Sequence, residues 1–157
     1  MWVRIIFFLI INFMALGIGG QFTAAGVASD WYARLPKAPW TPPSWMFGVA
    51  WSTIMVLLAI FMSRAMAHPT MRTAFIILFT VQWILNVAWN PLFFEFHWLG
   101  FALLDIVLLS VTVGVMLWLA ANTMGAVALL ILPYFIWLLI ACSLNAYSLM
   151  QVMEKQT

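Results

Sequence analysis

The chain has 157 residues, 67% of them hydrophobic and 6% charged, with a net charge of +2 and a mean hydropathy of +1.11. A soluble domain carries about 25% charged residues, so this composition excludes a water-soluble fold and points to an integral membrane protein. The small net charge and the lack of a basic run argue against nucleic acid as a partner, and the single cysteine, Cys142, excludes an intrachain disulfide.

A bilayer core of about 30 Å needs roughly 20 apolar residues per helix. Residues 5–29 carry no charge and give span one, read as a retained span rather than a cleaved signal peptide. Asn12, Leu16, Gly19, Thr23 and Gly26 recur at helical spacing. They predict the face that turns into the bundle, with glycines that let another helix come close.

The stretch from Trp31 to Trp51 follows. It holds four prolines, four tryptophans and two of the six basic residues. A stiff aromatic connection of this kind is unlike a passive linker. Pro42 and Pro43 suit a helix entry, where a missing N–H costs nothing. Span two is therefore placed at 44–66, closed by Arg64, His68 and Pro69. His68 and His97 stand far apart, each beside a span end, and show no metal-ligand spacing. No metal site is expected.

Span three is placed at 70–94. Its stripe is Gln82, Asn86, Trp89 and Phe93, flanked by Trp83 and Asn90. Amides in hydrocarbon are costly without partners. They can bond neighbouring helices or line a pocket, and both readings are open at this point. Pro91 has no N–H to give, which predicts a freed carbonyl at Val87.

Residues Phe94 to Trp98 form a tight aromatic turn into span four, placed at 99–121. Asp105 is the one acid well inside apolar sequence. An intramembrane carboxylate is a functional candidate by default, and a structural role near the interface is its alternative. No charge occurs from Ile106 to Met153, a run too long for one helix. The turn signal at Asn122 to Gly125 divides it, so span five is placed at 126–150. It carries Pro133 in its first half, then Tyr134, Trp137, Ala141, Asn145 and Ser148 on one face.

The expected architecture is thus an all-α integral membrane protein, a single bundle of five transmembrane helices over 1–157. An odd count puts the termini on opposite sides. Arg34, Lys37 and Lys155 fall on one side and Arg4, Arg64 and Arg72 on the other, so basic-residue asymmetry does not choose an orientation. No phosphate-binding glycine loop, CxxC, HExxH or GxSxG pattern occurs, and no catalytic residue is assigned. What is left is an apolar bundle with two amide-and-tryptophan stripes and an aromatic lid. Pockets for flat hydrophobic ligands have apolar walls and few polar groups, and indoles stack on planar rings.

Several segments, in order, resemble the translocator protein family, also called TspO/MBR or tryptophan-rich sensory proteins. They are Trp31-Tyr32 with Leu35, Lys37, Trp40, Pro42-Pro43, Trp45 and Trp51; Leu85 to Phe94 around Asn86, Trp89 and Pro91; Ala102 to Asp105; and Pro133-Tyr134 with Trp137, Leu144 and Asn145. The resemblance covers nearly the whole chain. It implies a five-helix bundle that pairs as a homodimer, with a cavity beneath the first loop that takes porphyrins or other hydrophobic small molecules. By matching positions it implies that Phe47, Trp51, Asn86, Phe101, Trp137, Ala141 and Leu144 face the cavity and that Trp31 and Trp40 form its lid. Asn86 and Trp51 would supply polar contacts, and Trp137 an aromatic wall. No cofactor is required; a protoporphyrin-like molecule would be the ligand. The reading is a receptor or carrier with a regulatory or stress-sensing role. Its alternatives are a light-dependent porphyrin-degrading enzyme and a sensory scaffold acting through a protein partner. The chain reads as bacterial, with inner and outer membrane both open.

The sequence also departs from the family pattern. Lys37-Ala38-Pro39-Trp40 replaces Lys-Pro-x-Trp, Ile54-Met55 replaces Leu-Tyr, and Glu95 replaces a glycine. The first basic residue after Tyr147 is Lys155, too distant for the family's C-terminal sterol pattern.

Overall fold

The computed structural model describes residues 1–155. Its helices are α1 (Trp2–Val27), α2 (Asp30–Arg34), α3 (Ser44–Ala65), α4 (Arg72–Asn90), α5 (Leu99–Met124) and α6 (Leu132–Glu154). A π-helical turn, Pro91–Glu95, extends α4, and a 3₁₀ turn, Gly125–Leu130, joins α5 to α6. Five of these helices, counted with their extensions, are long and apolar enough to cross a membrane. The protein is an all-helical, multi-pass integral membrane protein.

Side-by-side packing runs α3, α1, α4, α5, α6, and the ring closes only loosely between α6 and α3. The half of the bundle away from the first loop is solid. Leu58, Phe61, Met62, Phe75, Leu109, Val113, Met116 and Leu138 fill it and are almost wholly buried. Ile54 belongs to the same packing, and it and the neighbouring Met55 expose 3% and 2% of their surface. Near Asn12 the α1 side chain ties to the α3 backbone, because its amide donates to the Met55 carbonyl at 2.9 Å. The Trp83 indole does the same between α4 and α1, donating to the Ile11 carbonyl at 3.1 Å.

The short helix α2 breaks the first connection, and its caps explain it. The Ser29 hydroxyl accepts the Tyr32 N–H at 3.2 Å, Asp30 stands in the first turn and Arg34 in the last. Those charges oppose the helix dipole at each end. At the far end of α4, Pro91 does not stop the helix. The chain widens instead into the π turn, closed by the Phe96 N–H on the Pro91 carbonyl at 2.9 Å. The wider turn buries two successive aromatics, Phe93 and Phe94.

The last helix begins at Leu132, six residues later than the sequence reading placed it. Gly125 is the cause. Its φ of 57° and ψ of −127° suit only glycine, and the chain then tightens into the 3₁₀ turn. Pro133 consequently lies in the first turn of α6, where its absent N–H is harmless, and not in a helix interior. A Cβ at Gly125 would meet nothing within 4 Å, so only the backbone resists substitution. Gly125→Ala is expected to lower stability by about 1–2 kcal/mol. Thermal unfolding in detergent checks this, and a variant that melts with the parent would show that the turn relaxes freely.

Candidate functional site

The loop-side half of the bundle encloses a cavity of about 770 Å³. All five spans and the first loop line it. From α1 come small residues, Ala15, Gly19, Gly20 and Ala24, which leave room where larger side chains would intrude. Phe47 and Trp51 of α3 face Trp137 and Tyr134 of α6 in edge-to-face pairs, with ring centroids 5.3 and 5.9 Å apart. Trp89 and Phe93 stack at 4.9 Å and continue the aromatic wall along α4.

The two polar stripes meet across this space. The Asn86 amide donates to the Tyr134 hydroxyl at 3.0 Å, and that hydroxyl donates to the Gln82 carbonyl oxygen at 3.0 Å. The Trp89 indole donates to Asn145 at 3.3 Å, and Asn145 donates in turn to the Leu99 carbonyl at 3.0 Å. Thr23 of α1 donates to Asn90 at 2.9 Å. The open question of bonding against lining therefore resolves residue by residue. Gln82 lies off the cavity, whereas Asn86, Trp89, Asn90 and Asn145 both bond a neighbour and line it.

The cavity brings together Phe47, Trp51, Asn86, Trp137, Ala141 and Leu144. Phe101 is a correction: it lies outside, 64% exposed, against Trp98 at 5.7 Å. The inner face of α5 runs through Ala102, Asp105, Ile106 and Leu109, and one residue's rotation of about 100° turns Phe101 toward lipid. The two indoles expected in the lid make their contacts outside the lining. Trp31 stacks on His97 at 3.9 Å and meets Phe93 edge-on, while Trp40 donates to Ser143 at 3.0 Å and packs on Tyr147. Neither lines the cavity. They clamp the loop from outside, helped by the Ser148 hydroxyl on the Pro36 carbonyl at 2.8 Å.

The mouth itself is made by Tyr32, Leu35, Lys37, Thr41 and Ser44. Burial raises the Tyr32 phenol above its ordinary value, so it stays a neutral hydroxyl. The sequence reading missed these mouth residues except as part of a loop. Their signal was the adjacency of Trp31-Tyr32 and of Lys37 to the proline cluster.

A model of the TspO/MBR family matches residues 7–150. The chain belongs to the TspO/MBR family. It is 33% identical over 139 residues to Protein CrtK of Rhodobacter capsulatus, covering 86% of each chain. It is 33% identical over 137 residues to the tryptophan-rich protein TspO of Archaeoglobus fulgidus, covering 87% of this chain and 89% of that one. The human translocator protein is 29% identical over 150 residues, covering 92% of this chain and 87% of that one. This TspO/MBR bundle keeps its one intramembrane acid off the cavity lining. Asp105 is 7% exposed, and its Oδ2 has no hydrogen-bond partner among the described residues.

Proposed function

We propose that the protein is a membrane receptor or carrier that binds porphyrins and related flat hydrophobic ligands in this cavity. The carrying observation is the cavity: about 770 Å³, walled by Phe47, Trp51, Trp89, Phe93 and Trp137, with few polar groups. That size and make-up suit a planar ligand of several fused or linked rings. Names among the relatives include translocator protein and tryptophan-rich sensory protein, which agree with a carrying or sensing role. Homodimer formation and placement in a bacterial membrane belong to the same proposal.

Trp51→Ala is expected to weaken protoporphyrin binding about tenfold, because it removes the largest ring from one wall. Asn86→Ala is expected to weaken it severalfold by removing an amide that borders the ligand and orders Tyr134. Quenching of the remaining tryptophans and the porphyrin's own absorbance, read in detergent, give the affinities. Unchanged binding in both variants would rule out this cavity as the site.

A further inference from the structure

The cavity's hydrogen-bonding groups are distributed unevenly. Deep inside, most amide and hydroxyl groups are already committed, and the indole N–H groups of Trp51 and Trp137 are the neutral donors without a hydrogen bond among the described residues. The single hydroxyl hydrogen of Thr23 is shared between Asn90 and the Gly19 carbonyl, Asn90 donates to the Asn86 carbonyl, and Asn145 is bonded at both ends. At the mouth, capacity is unspent. The hydroxyls of Tyr32 and Ser44 make no hydrogen bond among the described residues. Lys37 is the one charged side chain in the lining, and no carboxylate pairs with it among the described residues.

The position of Lys37 is defined. Its ammonium donates to the Tyr32 carbonyl at 2.6 Å and to the Leu35 carbonyl at 3.4 Å, and it stands 4.3 Å from the centre of the Tyr32 ring. An ammonium has three N–H groups, so one is left to face outward from this seat. The neighbouring Tyr32 hydroxyl adds a second donor on the same rim. An interior that is apolar and uncharged, under a rim with one fixed cation and a spare hydroxyl, matches an amphipathic ligand. Its flat apolar body goes in, and its anionic end stays at the mouth.

We infer that Lys37 reads a carboxylate on the ligand, so the cavity prefers planar ligands with an acidic edge over the same ring system without one. This rests on the proposed porphyrin-class ligand and adds what selects within that class. The attraction is a charge-assisted hydrogen bond at a partly solvated rim, which sets its size between that of an exposed ion pair and a buried one.

The test compares protoporphyrin with its dimethyl ester on the full-length protein in detergent. The parent protein should bind the diacid roughly 5- to 10-fold more tightly than the ester. Lys37→Gln should bring the diacid down to the ester's level and leave the ester's affinity unchanged. Lys37→Arg should keep the preference. Comparing each ligand between parent and variant in one detergent cancels its partition into micelles. Equal binding of acid and ester by the parent would overturn the inference while leaving the cavity reading intact. So would a Lys37→Gln variant that weakens both ligands alike, since Lys37 would then only staple the loop. Failure of both ligands to bind the parent would sink the cavity reading, and this inference with it.

Discussion

Tyr134→Phe is expected to cost the bundle about 2 kcal/mol of stability, although it removes one oxygen and no packing volume. Tyr134 is 1% exposed, and its hydroxyl bridges the side chains of Asn86 and Gln82. Removing it leaves a donor on Asn86 and an acceptor on Gln82 facing apolar surroundings. A buried group that loses its partner costs about 1–3 kcal/mol. Side-chain hydrogen bonds measured inside membrane bundles average nearer 0.6 kcal/mol, because the unfolded chain in the membrane also finds partners. Two groups orphaned together, Gln82 buried and Asn86 on the cavity wall, place the sum near about 2 kcal/mol. Unfolding by a denaturing detergent, followed by circular dichroism, reads it. A variant as stable as the parent would mean that Asn86 and Gln82 bond each other directly once the hydroxyl is gone. The same variant frees the Asn86 amide toward the ligand, so porphyrin affinity should hold or rise while stability falls.

That split between stability and binding shows what the sequence could and could not convey. Polar residues are sparse here, so each carries information. Gln82, Asn86, Asn145 and Ser148 could be read as facing inward because no other direction satisfies an amide or hydroxyl in lipid. The inner face of α1 was legible for the same reason, through Asn12 and Thr23 and through glycines that only close packing explains. Apolar residues carry no such signal. In a membrane the outer face of a helix is as hydrophobic as the inner one, so nothing local separates Phe101 from Ala102. The start of α6 was hidden in the same way, within an unbroken apolar run from Ile106 to Met153. Gly125 and Pro133 mark it, but only when both are read as boundary residues. The indoles of Trp31 and Trp40 lie outside the cavity lining, which no local pattern decides, because an indole serves equally as cavity wall or as a clamp with its N–H on a neighbour. Trp40 does the latter, on Ser143.

Gly26→Ala is expected to disturb the mouth of the cavity more than any change among the visible lining residues. Gly26 sits at the end of α1 against Phe94, and a methyl placed there would overlap that ring's Cβ, Cγ and Cδ1. Phe94 has little room to yield. It is 8% exposed and held among Tyr32, Trp89 and Phe93, with ring centroids 4.9–5.8 Å away. Overpacking of this kind costs about 1–3 kcal/mol. The strain has two exits. α1 can move away from the π turn, or Phe94 can push Tyr32 and the loop that carries Lys37. Either exit reshapes the rim, so porphyrin affinity should fall at least severalfold while the five spans persist. Gly19, which faces the Asn90 side chain about two turns deeper, is constrained in the same way by a smaller group. Shortening the obstructing side chain supplies the control. Phe94→Ala alone opens a void and should destabilise, but combined with Gly26→Ala it should recover part of the stability lost by the glycine change, the non-additivity expected of residues in contact. Additive losses in the double variant would show that the two residues do not press on each other, and that the fit of α1 against the π turn does not set the shape of the mouth.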